Sequence, residues 1–230
     1  MRQPVAWQYG PGMDQRWAKP WFAATAACVL AGIVIQLFVS ANSPEVFGGS
    51  PLNRALNIFA FFTIQSNVII GVTCLLLAVD PHRRSPVFAV FRLTGVIAIT
   101  VTFVVFHVAL SRLLDLDTWA QTANQLQHTV VPILAVVGWV AFGPRGLAAA
   151  RQVRLTIVFP LLYIVFTMIR GPLASDWYPY PFVDVGTLGY LRVAINGVWI
   201  ALLFIGIAAG AAALDRRLQP DRADNEFPAP

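Results

Sequence analysis

Six apolar runs organise the chain, at about 20–40, 55–79, 87–111, 123–142, 153–171 and 189–214, with short polar stretches between them. A helix needs about 20 mostly apolar residues to cross the hydrocarbon core of a bilayer. None of the runs shows the strict alternation of a half-buried strand. The connections hold breaker residues: Asn42-Ser43-Pro44, Gly48-Gly49-Ser50-Pro51, Asp80-Pro81 and Gly143-Pro144. The pattern predicts an all-α polytopic membrane protein, a bundle of six transmembrane helices over 20–214. Residues 1–19 are polar and aromatic and read as a cytoplasmic or interfacial segment. Residues 215–230, DRRLQPDRADNEFPAP, are charged and proline-bearing and read as a disordered cytoplasmic tail. The first apolar run is longer than the 7–15 residues of a typical signal-peptide core, so it is read as a retained helix.

Composition agrees with the pattern. The 230 residues are 57% hydrophobic and 12% charged, with mean hydropathy +0.67. Soluble domains carry about 25% charged residues. The net charge of +5 lies in short connections beside apolar runs, so it sets orientation and does not point to nucleic acid. The N-terminal segment, the 80–92 and 143–154 connections and the tail hold all but four of the 16 Lys and Arg residues. The exceptions are Arg54, Arg112, Arg170 and Arg192. The positive-inside rule then puts both termini in the cytoplasm of a plasma-membrane protein. Cys28 and Cys74 fall inside apolar runs with no metal-ligand spacing and read as core residues. No resident metal or other cofactor is expected.

Polar residues inside apolar runs are costly and need an account. The second run carries Thr63, Gln65, Ser66 and Asn67 within two turns, with Thr63 about 12 Å from its outer edge if the helix starts near residue 55. A threonine in such a helix often bonds only the carbonyl one turn back; the clustered amides and hydroxyl argue for more than that. The fourth run opens Asn124-Gln125-Leu126-Gln127-His128-Thr129. Pro132 cannot donate to the carbonyl of His128, so the helix is expected to be irregular there. The fifth connection holds Asp176, Trp177, Tyr178, Tyr180, Pro181, Phe182 and Asp184, an aromatic belt in its plainest reading. Thr63, His107, His128 and this connection all map to the outer half.

Phe61-Phe62-Thr63, then Asn124, His128, Thr129 and Pro132, then Tyr180-Pro181-Phe182 with Asp184 resemble motifs of the androgen-induced and androgen-dependent TFPI-regulating membrane proteins. These six-span hydrolases cleave fatty acid esters of hydroxy fatty acids. The motifs read FLT, N-x-x-x-H-T-x-x-x-P and YPF-x-E in that family. The proline is shifted by one residue here, and the FTIQSN context points to a bacterial relative in the inner membrane. The resemblance spans roughly residues 20–215. It implies a carboxylic ester hydrolase of lipid metabolism, with Thr63 as nucleophile, His128 as base and a lipid or fatty-acyl ester as substrate. Asn124, Gln65, Asn67 and Tyr180 are candidates for the oxyanion or its surroundings, and Asp184 for orienting the imidazole. Two other readings stand beside it. His107 and His128 at similar depth are suited to clamping a haem, and the bundle also suits a non-catalytic transporter or structural protein.

Overall fold

The structure, a computed structural model, describes residues 15–44, 48–113 and 116–219. Residues 1–14 and 220–230 of the predicted terminal segments lie outside the described residues. Six helices are long and apolar enough to cross a membrane: Ala18–Ala41, Phe62–Val79, Pro86–Leu113, Thr118–Phe142, Ala150–Leu173 and Val185–Arg217. They are called here the first to sixth spans. The chain is an all-α six-helix bundle of the multi-pass membrane type, with no strand among the described residues. The connections after the first, third and fifth spans meet at one end of the bundle, the near end. Those after the second and fourth meet at the far end.

Helix starts are written locally. Ser50-Pro51 and Ser85-Pro86 each put a hydroxyl acceptor before a proline at the first helical position. Ser85 Oγ accepts from the Phe88 amide at 3.0 Å and Ser50 Oγ from the Asn53 amide at 3.2 Å. Asp117 caps the fourth span through the Ala120 amide at 2.8 Å. At the far end, the buried Asp215 carboxylate accepts from the amides of Gly146 and Ala148 at 3.1 and 3.0 Å. It ties the fourth connection to the end of the sixth span. Residues 215–217, assigned from sequence to a disordered tail, are therefore helical.

The core lies mainly among the first four spans and takes in Phe204, Ala208, Ala211 and Ala212 of the sixth; the third span is the most buried of all. Close approach of the first span to the fourth depends on Gly138. A Cβ there would lie 2.6 Å from Trp21 Nε1, which donates to the Leu134 carbonyl at 2.9 Å. The fifth and sixth spans are the least buried and stand at the periphery. The sixth is kinked at Gly189, whose φ of 72° is a conformation that glycine adopts without strain.

Two features differ from the sequence reading. The apolar run from 55 is not one helix. Residues Pro51–Asn57 form a separate short helix, a 3-10 turn follows at Ile58–Ala60, and Phe61 is extended before the second span starts at Phe62. Thr63 therefore stands in the first turn of its helix instead of well inside it. Hydropathy could not show this, because apolar residues continue through the break. Arg92 is the second difference. Counted as a loop residue, it lies about 9 Å into the third span and is fully buried. One guanidinium nitrogen donates to Cys74 Sγ at 3.3 Å, and the group sits 5.3 Å over the Phe22 ring. Its other two nitrogens have no hydrogen-bond partner among the described residues.

Candidate functional site

The break at Phe61 turns the first-turn amides of the second span toward the near end, where no intrahelical carbonyl can accept from them. The Thr63 amide donates to the Tyr180 hydroxyl at 3.1 Å. The Thr63 carbonyl is held from below, by Ser66 Oγ at 3.0 Å and Asn67 Nδ2 at 2.8 Å. Asn67 also reaches the Gln127 carbonyl at 3.3 Å. The polar cluster of the second span thus fixes the Thr63 backbone and leaves its hydroxyl facing the interior.

That hydroxyl meets His128. Thr63 Oγ1 lies 3.2 Å from His128 Nε2 and 3.2 Å from the Tyr180 hydroxyl. On its other side the imidazole is oriented by a carbonyl, with His128 Nδ1 3.1 Å from Asn124 O. A carbonyl can only accept, so Nδ1 carries the proton and Nε2 presents a lone pair to the threonine hydroxyl. His128 sits in a π-helical turn, Leu126–Val130, just ahead of Pro132. The missing proline donor and the wider turn are one local event, and π-turns favour functional sites. The Phe106 ring stacks on the imidazole at 4.1 Å and 24° from a second π-turn, Phe106–Leu110.

Tyr180 is buried between Phe61, edge-on at 5.5 Å, and Phe182, stacked at 5.1 Å. Burial pushes its phenol up to about 12, with hydrogen bonds from Thr63 and the Phe62 amide pulling the other way. It is a neutral hydroxyl that accepts from a helix N-terminus and keeps its own proton to donate.

Two cavities meet at this trio. One, of about 480 Å³, has almost wholly apolar walls and runs from Thr63, His128 and Tyr180 down between the third, fifth and sixth spans to Ile157 and Phe204. The other, of about 500 Å³, lies toward the near end; its walls are still mainly apolar but carry more polar groups, among them Gln36, Ser40, Asp117, Asn124 and Gln127. Thr63, His128, Tyr180, Phe106 and Leu110 line both.

The sequence candidates fall into two groups. Thr63, His128 and Tyr180, drawn from three separate motifs, touch one another. Asn124 joins them through its backbone carbonyl. Asn67 braces Thr63 and lines neither cavity. Gln65 points away and donates to the Phe59 carbonyl at 2.9 Å. Asp184 does not orient the imidazole: its carboxylate caps the sixth span, accepting from the Thr187 amide at 3.2 Å and hydroxyl at 2.5 Å. Nor does it pair with Arg170, which bonds Asn57 Oδ1 and lies 4.9 Å over the Trp177 ring. His107 lines neither cavity and meets Thr129 Oγ1 at 3.2 Å. The Phe106 ring lies against both imidazoles, and only His128 lines the two cavities. Among the described residues no cluster of three His, Cys, Asp or Glu is placed to hold a metal.

Comparison of the chain with protein-family models, with curated proteins and with solved structures finds no match.

Proposed function

We propose that this chain is an integral-membrane lipid-ester hydrolase with Thr63 as nucleophile and His128 as general base. The contact that carries the reading is Thr63 Oγ1 to His128 Nε2 at 3.2 Å, with Nδ1 anchored on the Asn124 carbonyl. A hydroxyl is a poor nucleophile until a base takes its proton, and a base acts best when a third group fixes its tautomer. As the hydroxyl attacks an ester carbonyl, its proton passes to Nε2. The oxyanion that forms beside Oγ1 accepts from the Tyr180 hydroxyl. The intermediate collapses to an acyl-threonine, and the imidazolium protonates the departing alcohol. Water, deprotonated by His128, then attacks the acyl group and releases the acid and the free hydroxyl.

The meeting of an apolar cavity with a more polar one suits an ester whose acyl part is greasy and whose alcohol part is the more polar. The resemblance to the androgen-induced and androgen-dependent TFPI-regulating proteins points to the same chemistry, including fatty acid esters of hydroxy fatty acids, and its three motifs supply the three groups in contact. Under the positive-inside reading the near end faces outward, both termini are cytoplasmic, and the membrane is the cell membrane.

The test uses purified protein in detergent with fluorogenic acyl esters and a fluorophosphonate probe. Hydrolysis and labelling at Thr63, both lost in Thr63→Ala and His128→Ala, are expected. Wild-type turnover in Thr63→Ala would overturn the proposal.

A further inference from the structure

The apolar cavity has a side opening and a floor. Between the fifth and sixth spans, its rim residues Leu161, Val198 and Tyr190 are 56%, 59% and 74% exposed. That side of the bundle faces lipid, so the cavity is open to the hydrocarbon core along its flank. At its inner end Phe204, 2% exposed, closes it. Along the sixth-span wall, between the level of Tyr180 and this floor, stand three small residues: Ala194, close to the level of Tyr180, and Gly197 and Ala201 deeper in. A Cβ added at Gly197 would meet nothing within 4 Å, so the space beside it is open.

We propose that this cavity takes a long acyl chain sideways from the bilayer, and that Gly197 and Ala201 set how long a chain it accepts. The inference rests on the ester-hydrolase reading. Val193 packs with Tyr180 and marks the level of the reacting carbonyl. At 1.5 Å per residue, Gly197 lies about 6 Å below it, Ala201 about 12 Å and Phe204 about 17 Å. A chain of 1.5 Å bonds at tetrahedral angles advances about 1.25 Å per carbon, taking the backbone's carbon geometry as the guide. Gly197 is then level with about the fifth carbon, Ala201 with about the tenth, and the floor with about the thirteenth. A phenylalanine at either cavity-lining position adds a ring to the channel wall at that depth, and a glycine replaced inside a helix does not weaken the helix.

The experiment measures hydrolysis of a series of acyl esters from butyryl to dodecanoyl, which ends short of the floor, by wild type, Gly197→Phe, Ala201→Phe and Gly206→Phe. Gly206 is on the same span, has open space around it and lines neither cavity. Relative to butyryl ester, dodecanoyl ester hydrolysis should fall at least tenfold in Gly197→Phe and Ala201→Phe. Octanoyl ester should follow it down in Gly197→Phe only. Gly206→Phe should keep the wild-type profile. An unchanged profile in both groove variants, or the reverse order of cut-offs, would overturn the ruler while leaving the Thr63 mechanism standing. If wild type cleaves no ester of any length, the hydrolase reading fails instead. Photo-crosslinking with a diazirine-bearing dodecanoic acid then decides the cavity alone: labelling within residues 101–106, 157–168 and 190–204, lost in Gly197→Phe, supports it, and labelling elsewhere overturns it.

Discussion

Removing one oxygen from Tyr180 separates chemistry from architecture. Tyr180→Phe keeps the ring and its packing on Phe61 and Phe182. It deletes the acceptor for the Thr63 amide, 3.1 Å away, and the donor beside Thr63 Oγ1, 3.2 Å away. The first loss leaves a buried N–H without a partner, which costs about 1–3 kcal/mol of stability. The second removes an oxyanion donor, worth about 100- to 1000-fold in kcat, or about 2.7–4 kcal/mol at the transition state. These effects are read by different instruments. Thermal unfolding in detergent follows the first, and kcat and KM on a fluorogenic acyl ester, measured well below the unfolding range, follow the second. The expected result is a modest loss of stability, a kcat lower by two to three decades and a KM within a few-fold of wild type. Because burial holds the phenol near 12, its proton stays in place from about pH 7 to 10, and the wild type should show no alkaline loss of kcat from this group over that range. A variant destabilised as expected but turning over within threefold of wild type would show Tyr180 to be a scaffold and would refute its role at the oxyanion.

Three further outcomes follow. The Thr63→Ala, His128→Ala double variant should be no slower than either single one, since residues acting as a unit are not additive, while Thr129→Ala should be mild; additive losses would break the pairing. Reporter fusions at Gly48, Thr118 and Tyr178 should read outside and those at Arg84, Ala148 and Asn225 inside, and reversal at any two sites would overturn the orientation. Arg92→Met should unfold at the same temperature as wild type or higher, because it removes a buried cation with two unsatisfied nitrogens and keeps most of the apolar stem. A fall of more than about 5 °C would mean that the charge has an acceptor worth more than its desolvation costs.

The number and order of the spans were legible because bilayer thickness fixes a helix length that apolar runs must match. Thr63 and His128 stood out because polar groups in such runs are expensive, and the missing donor at Pro132 marked the irregular turn. Other features left no periodic trace. The break at Phe61 lies inside a continuous apolar stretch, so hydropathy read through it. Tyr180 was named only through its motif, because by composition it and its neighbours read as an interfacial belt, aromatic residues serving either role. Asp184 was given an imidazole to orient when a position just before a helix suits a carboxylate as cap. Arg92 sat at the edge of an apolar window, where sequence alone cannot separate a loop cation from one drawn into the core.

The junction of the two cavities at Thr63 also bears on what happens after cleavage. On the proposed ester-hydrolase function, the halves of a split ester would leave by different doors: the acid back along the apolar channel into the lamella, the alcohol through the more polar chamber at the near end. Release then needs no unpacking of the first four spans. It also makes the two products unequal as inhibitors. The acid would compete at its mole fraction within the leaflet, which bulk dilution barely changes, whereas the alcohol would compete at its concentration in water and be relieved by dilution. Turnover in vesicles would then slow as the membrane fills with product, at a point governed by the amount of lipid and not by the volume of the assay.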